Sequence, residues 1–173
     1  SDRGVLYAAY DLLRRQQTGD LLSDGAVVTE MPSYDIRILN HWDNPDGTVE
    51  RGYAGRSIWK WDELPETVSP LYKEYARTNA SVGINAVVLN NVNAKPQMLS
   101  TGMLRKVAVI ADVLRPYGIR TYLSVNFASP KALGELPTAD LLDADVQRWW
   151  KKKTKEIYRL IPDFGGFLVK ANS

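Results

Sequence analysis

The sequence contains no cysteine and only one histidine, His41, among its 173 residues. The chain therefore has no disulfide bond, thiolate nucleophile or cysteine-ligated metal, and one histidine is too few for a histidine-rich zinc site. No apolar run approaches the roughly 20 residues that span a bilayer, and the first residues lack the apolar core of a secretory signal. We expect a soluble chain without a metal site or a membrane-spanning segment, in an intracellular, periplasmic or secreted location.

The chain also lacks a large excess of positive or of negative side chains. The 22 lysines and arginines nearly balance the 20 aspartates and glutamates, which leaves a net charge of +2. A field this small gives no reason to expect a nucleic-acid partner. No glycine-rich phosphate loop follows any apolar segment, which disfavours nucleotide binding and a flavodoxin-like open sheet.

A succession of strand and helix recurs four times along the chain. Runs of β-branched and aliphatic residues predict strands at 36–40, 84–89, 121–125 and 167–169. Helical spacing and capping residues predict helices from Ser69 to Gly83, from Ser100 to Tyr117 and from Asp143 to Pro162. Alternation of this kind is typical of an α/β fold with a parallel sheet covered by helices.

The polar residues of these strands favour a barrel over an open sheet. Side chains alternate between the two faces of a strand, and the face opposite the helices becomes polar near each carboxyl end. A (β/α)8 TIM barrel builds its site at that end, but it needs eight such units and about 250 residues. We predict that residues 36–173 form the first, N-terminal half of a barrel that must pair with the remaining half. An amphipathic helix at 4–17 precedes it, so we assign residues 1–22 to the end of a preceding N-terminal domain and 23–35 to a linker.

The predicted inner face supplies the candidate ligand-binding residues. The strand parity places these side chains at the mouth: Trp42, Asn90, Val92, Asn126, Lys170 and Asn172. An exposed indole such as Trp42 offers a flat apolar face to a sugar ring, although the adjacent Asp-Asn-Pro-Asp-Gly segment is also an ordinary turn. His41 lies on the helix-facing side, which favours a structural histidine over a general base.

Three asparagines close together mark the end of the second strand. Asn90 or Asn91 can offer both a donor and an acceptor to a polar ligand beside Val92, but turn formation explains some of these amides equally well. Asn126 gives the same signal more weakly. Lys170 reads either as a strand-end lysine whose ammonium reaches water or as a fixed cation for an anionic substrate group such as a carboxylate.

Four longer segments resemble one enzyme family. They are Asn40 to Asn44, Glu50 to Ile58, Asn79 to Asn85 together with Leu89 to Ala94, and Gly165 to Ser173. Together they closely resemble the α-glucuronidases of glycoside hydrolase family 67. The resemblance implies removal of glucuronic acid or its 4-O-methyl ether, α-1,2-linked to the non-reducing xylose of xylooligosaccharides, with inversion and without metal or cofactor. It also implies an N-terminal α/β domain, a (β/α)8 barrel and a helical C-terminal domain.

The resemblance also assigns roles to individual residues. Trp42 would line the uronic-acid pocket, Val92 would contact the 4-O-methyl group, and Lys170 would bind the carboxylate. The general acid of the family would follow directly after Ser173 and the bases would come later, so we expect no catalytic residue in this chain and no activity from it alone. A homodimer is one assembly that the parent protein could form. The alternative is a half-barrel scaffold that self-associates, or a carbohydrate-binding module without catalysis.

Overall fold

A computed structural model describes residues 1–170 as a mixed α/β fold. The helices are α1 (Asp2–Thr18), α2 (Pro70–Ser81), α3 (Thr101–Leu114), α4 (Ser129–Gly134) and α5 (Ala144–Leu160). The strands are β1 (Ile38–Asn40), β2 (Ala86–Val88), β3 (Arg120–Ser124) and β4 (Gly166–Leu168). None of the helices among these residues is long and apolar enough to cross a membrane.

The four strands form one parallel sheet in the order β1-β2-β3-β4. The predicted strands lie in the right places, but β1 and β2 are shorter than predicted, and β3 and β4 begin one residue earlier. The first begins at Ile38 rather than Ile36, because the N–H of Arg37 donates to the Asn85 side chain (2.8 Å) instead of joining the ladder. The Asn85 amide also donates to the carbonyl of Asp35 (2.7 Å), so this one side chain binds the backbone that leads into β1 at the amino end of the sheet.

One face of the sheet packs against α2, α3 and α5. Val87, Leu89 and Leu123 are fully buried there, together with helix residues such as Leu104 and Ile110. The predicted strand parity is therefore confirmed. Because sequence neighbours are also neighbours in the sheet, the strand order has no reversal point of the kind that a doubly wound sheet contains. This arrangement is compatible with half a barrel.

The predicted helix caps are confirmed. The side chain of Ser69 accepts from the N–H of Leu71, that of Ser100 from Met103, and that of Asp143 from Asp145 and Val146. Each cap satisfies N–H groups that the first turn of a helix leaves without a partner. The helix predicted from Ser100 to Tyr117 divides into two parts. Helix α3 ends at Leu114, and a 3₁₀ turn, Arg115–Tyr117, continues to Gly118.

The long segment between β1 and α2 contributes more to the core than its composition predicts. Trp59, Trp61 and Leu64 are at most 3% exposed, and Trp59 packs at 5.3 Å, centroid to centroid, on the rings of Tyr72 and Tyr75. These residues have neither strand nor helix periodicity, which is why sequence analysis left them unassigned. They cover the β1 end of the helix layer.

Helix α1 lies outside the strand and helix succession, as predicted, and is two residues longer at its start. None of its residues is buried, but Leu6 and Tyr10 pack against the core near α2. It ends at Gly19, whose φ of 75° places it in the left-handed region that a helix-terminating glycine commonly adopts. Its assignment to a preceding domain stays a prediction.

Candidate functional site at the carboxyl edge of the sheet

The residues predicted from strand parity gather at the carboxyl edge of the sheet, linked by hydrogen bonds between the loops. The N–H of Asn91 donates to the carbonyl of Asp43 (2.8 Å), which joins the loops after β1 and β2. The amide of Asn126 donates to the carbonyl of Ala94 (2.9 Å), which joins the loops after β2 and β3. Side chains from three strands are thus held in one continuous rim.

Asn90 connects β2 to β3 below the surface of this rim. Its Oδ1 accepts from the N–H of Ser124 (2.9 Å) and its Nδ2 donates to the carbonyl of the same residue (3.1 Å). The side chain is 1% exposed. A paired amide of this kind extends the sheet ladder by one step, so the contacts described here give Asn90 a structural role.

Asn91 and Asn126 also use both ends of their amides on the protein. Asn91 accepts from the N–H of Asn93 (2.8 Å) and donates to the carbonyl of Glu50 (3.1 Å), and Asn126 accepts from the N–H of Ala128 (2.8 Å). Both side chains thus shape turns, which is one of the two explanations that the sequence left open. Direct contact of these asparagines with a ligand stays a prediction.

Trp42 and Val92 lie at the mouth itself. Trp42 is 39% exposed, and its carbonyl accepts from the N–H of Glu50 (2.8 Å), while Val92 is half-buried. The exposed indole and the aliphatic side chain from the loop after β2 offer apolar surface at this edge, which suits the C–H face of a sugar ring.

Lys170 ends the rim on the β4 side. Its ammonium donates to Oδ1 of Asn93 (2.9 Å), a neutral acceptor from the loop after β2, and the side chain is exposed. Among residues 1–170 no carboxylate pairs with it. A cation that is oriented by an amide but not neutralised is available to an anionic group. Asn172, also predicted for this face, lies outside the described residues.

His41 is a structural histidine, as its parity predicts. Its Nε2 lies 2.7 Å from the hydroxyl of Tyr75 on α2, its Nδ1 lies 3.4 Å from Oδ1 of Asp43, and Asp43 Oδ2 accepts from the Ser57 hydroxyl (2.5 Å). Sequence analysis missed Asp43, Ser57 and Tyr75 as parts of this site. The available signal was the alternation along β1, which places His41 and Asp43 on the same side and Trp42 on the other.

Glu50 is a further residue of this site that the sequence alone did not single out. Its φ is +57°, a left-handed conformation that costs a non-glycine residue roughly 1–2 kcal/mol. Three contacts hold its backbone there, because its N–H donates to Trp42 and its carbonyl accepts from the side chains of Asn44 and Asn91. Its Oε2 is buried and has no hydrogen-bond partner within the described part of the chain. Strained residues of this kind concentrate at functional sites.

An exposed ion pair fastens the outer part of the rim. Asp46 accepts from the hydroxyl of Thr48 (2.6 Å), from the ammonium of Lys95 (2.9 Å) and from the N–H of Thr48 (3.1 Å). The Thr48 hydroxyl first, and then Lys95, hold the pKa of the Asp46 carboxyl well below its usual value. The loop after β1 is thus tied to the loop after β2 while Asp46 is ionised.

Acid should weaken this tie. A carboxyl group whose pKa is lower in the folded chain stabilises the fold fully above its unfolded pKa of about 3.9, and this stability is lost gradually as the pH falls from that value through the lower pKa of the folded chain. Because Asp46 is half exposed, we expect less than about 1 kcal/mol. Thermal midpoints of the protein and of Asp46→Asn should differ most at pH 7, and the difference should shrink progressively as the pH falls below about 4. A difference that stays constant or grows on acidification would contradict this assignment.

Two large cavities lie at the other edge of the sheet. The cavity of about 680 Å³ is lined by α1, by the segment 22–37 and by Asn85, and the cavity of about 790 Å³ is lined by α1 with Arg115 and Gly118. They adjoin the amino ends of the strands, whereas sites in barrel folds lie at the carboxyl ends. Among residues 1–170 no group of three histidine, aspartate or glutamate side chains is placed to hold a metal ion. We therefore place the candidate site at the polar carboxyl edge.

Comparison with known proteins identifies the family. A family profile described as "Glycosyl hydrolase family 67 middle domain" matches residues 16–173. The chain belongs to glycosyl hydrolase family 67. The resemblance predicted from the motifs is thus confirmed, and the candidate rim lies wholly within the matched segment of this family.

Fungal relatives agree with this assignment. The chain is 48% identical over 174 residues to "Probable alpha-glucuronidase A" of Neosartorya fischeri. It is 46% identical over 178 residues to "Alpha-glucuronidase A" of Emericella nidulans and 42% identical over 179 residues to "Alpha-glucuronidase" of Hypocrea jecorina. Each alignment covers all of this chain but only 20% of the first relative and 21% of the other two. The chain therefore spans about a fifth of the length of these family 67 proteins.

Proposed function

We propose that this chain is the first half of the catalytic barrel of an inverting α-glucuronidase. The parent enzyme hydrolyses α-1,2-linked glucuronic acid, or its 4-O-methyl ether, from the non-reducing xylose of xylooligosaccharides. The observation that carries the proposal is the rim of Trp42, Val92 and Lys170 at the carboxyl edge of a sequentially ordered parallel sheet. The family and the names of the relatives support the same activity.

The substrate class follows from the chemistry of the rim. Lys170 offers an ammonium that no described carboxylate neutralises, and a uronic acid carries a carboxylate at C6. Trp42 supplies a flat apolar surface for the sugar ring, and Val92 supplies an apolar neighbour for a methyl ether. Asn90, Asn91 and Asn126 support this site by fixing the loops, and the remaining donor and acceptor positions of the half-buried Asn126 can meet sugar hydroxyls.

The chemistry itself comes from the rest of the parent enzyme. Inversion at a glycosidic carbon needs a carboxylic acid on the leaving oxygen and a carboxylate base on the opposite face, about 6.5–9.5 Å apart. Asp43 and Asp46 already bind Ser57, Thr48 and Lys95, so neither is free for that task. We propose that the general acid follows directly after Ser173 and that the bases come from later strands, so this chain alone is inactive.

Turnover by the full-length parent protein tests the proposal. We expect release of 4-O-methylglucuronic acid from 4-O-methylglucuronosyl-xylotriose, and no product from xylotriose itself. Proton NMR during the first minutes should show the β-anomer before mutarotation, because inversion converts the α-linkage. Initial release of the α-anomer would refute inversion, and absence of any release by the folded parent would refute the activity.

Exposed apolar side chains on the edge strands favour one alternative. Ile38 on β1 is 39% exposed and Val169 after β4 is 53% exposed, so both edges of the sheet offer a surface for association. A half-barrel scaffold would bury these edges against a second copy of itself. Light scattering after size-exclusion chromatography distinguishes the scaffold from the truncated barrel. A discrete dimer of this chain that binds xylooligosaccharides without turnover supports the scaffold. An aggregated or partly folded chain supports the truncated barrel.

A further inference from the structure

Trp42 lies between two side chains that point away from it. His41 and Asp43 both reach into the helix layer, where His41 packs against the rings of Trp59 and Tyr75 at 5.4 and 5.5 Å between centroids. Asp43 is 4% exposed, whereas Trp42 is 39% exposed. The residues on either side of the indole are thus anchored in the interior, and the indole alone faces the mouth.

The anchors form one chain of polar contacts that runs from Tyr75 through His41 to Asp43. Burial, and to a lesser degree the Asp43 carboxylate, raises the pKa of Tyr75, so its hydroxyl stays protonated and can donate to Nε2 of His41 across 2.7 Å. On the other side of the ring, Nδ1 of His41 lies 3.4 Å from Oδ1 of Asp43. The Ser57 hydroxyl occupies the other oxygen of Asp43.

Backbone hydrogen bonds also hold the main chain around Trp42. The N–H of His41 donates to the carbonyl of Val88 (3.0 Å), and the carbonyl of Asp43 accepts from the N–H of Asn91 (2.8 Å). The carbonyl of Trp42 itself accepts from the N–H of Glu50 (2.8 Å). Three consecutive residues therefore have backbone partners, which fixes the main-chain position from which the indole extends.

We propose that the Tyr75–His41–Asp43 chain is a positioning device that holds Trp42 in the orientation in which it meets the sugar. Tyr75 lies on α2, in the helix layer, and acts only through His41. A preorganised aromatic wall binds more tightly because less conformational freedom is lost when the ligand arrives. This inference rests on the proposed function, since it assigns a supporting structure to the same site.

Two tyrosines on α2 provide a matched comparison. Tyr75 and Tyr72 both pack at 5.3 Å on the ring of Trp59, but the Tyr72 hydroxyl accepts from the N–H of Lys60 (2.8 Å) and does not join the His41 chain. Tyr75→Phe and Tyr72→Phe therefore each remove one interior hydroxyl, and only the first removes the anchor of His41. In the full-length enzyme we expect Tyr75→Phe to raise KM for the glucuronosyl substrate about three- to tenfold with kcat changed less than about twofold, a loss of uniform binding.

The control variants separate positioning from general stability. Tyr72→Phe should leave KM and kcat unchanged even where it lowers the thermal midpoint as much as Tyr75→Phe does. His41→Gln, which keeps a polar group within reach of Tyr75, should restore part of the binding that His41→Ala loses. An unchanged KM in Tyr75→Phe, or an equal rise in Tyr72→Phe, would overturn the proposal.

A second measurement does not depend on catalysis. Amide hydrogen exchange in the peptide around Trp42, followed by mass spectrometry of the full-length protein, should accelerate in Tyr75→Phe and not in Tyr72→Phe. Equal exchange in both variants would overturn the positioning role. Failure of the unsubstituted enzyme to process the substrate would refute the proposed function instead, and the exchange result would still decide this inference.

Discussion

Replacement of Gly165 by alanine should lower the free energy of unfolding by about 1–3 kcal/mol, the usual cost of forcing extra volume into a packed site. A Cβ atom on Gly165 would lie 2.6 Å from Cδ2 of Tyr122 and closer still to two other ring carbons. The ring cannot withdraw easily, because Tyr122 lies in the middle of β3 and the N–H of Gly165 donates to the carbonyl of Thr121 (2.9 Å). The added methyl group would therefore push β4 away from β3.

Gly102 supplies the matched control. It lies in α3, and a Cβ atom there meets nothing within 4 Å. Gly102→Ala should therefore stabilise the protein by about 1 kcal/mol, because alanine is the better helix former. Thermal midpoints measure both changes. Gly165→Ala combined with Tyr122→Ala should be no less stable than Tyr122→Ala alone, and full additivity of the two losses would show that the methyl group does not meet the ring.

Replacement of Lys170 by alanine should reduce kcat/KM of the full-length enzyme for glucuronosyl-xylotriose about 10- to 100-fold. A hydrogen bond to a charged group contributes roughly 1.5–3 kcal/mol, and about 1.4 kcal/mol corresponds to a factor of ten. In the described residues the ammonium has only the neutral Asn93 as its partner, so a substrate carboxylate would gain the whole charge-assisted contact. The loss should fall on both the methylated and the unmethylated uronic acid.

The substrate provides the control for this prediction. An analogue with glucose in place of glucuronic acid lacks the carboxylate, so Lys170→Ala should change its slow turnover or weak binding very little. Lys152→Ala, an exposed lysine on α5, should leave kcat/KM for the glucuronosyl substrate unchanged. An equal loss for the charged and the neutral substrate would show that Lys170 does not pair with the carboxylate.

Local signals predicted most of the architecture. Ser69, Ser100 and Asp143 mark helix starts because their side chains satisfy the N–H groups of the first turn, and this depends only on nearby sequence. Strand parity separated Leu123 from Tyr122 correctly, because one face of each strand must meet the helices. The short helix α4 and the buried Trp59 were missed, because contacts with distant parts of the chain determine both.

The sequence predicted where the candidate residues lie in the sheet but not the hydrogen bonds that they make. Parity placed Trp42 and Lys170 at the carboxyl edge, but it could not show that Asn90 would use its amide on the backbone of Ser124. That pairing depends on the register between β2 and β3, which no single segment encodes. For Lys170 the sequence left open a strand-end lysine that reaches water and a fixed cation for a carboxylate. The structure shows an exposed side chain at the end of β4, and its contact with a carboxylate stays a prediction.

A crystal structure of the full-length protein with bound glucuronic acid tests the central claim most directly. We predict that the ring lies on the indole of Trp42 with Val92 beside its C4 substituent, and that its carboxylate accepts from the ammonium of Lys170 within about 3 Å, as charge-assisted hydrogen bonds do. Glucuronic acid bound at the amino edge of the sheet, beside α1, or bound at the carboxyl edge without contact to Lys170, would contradict this account.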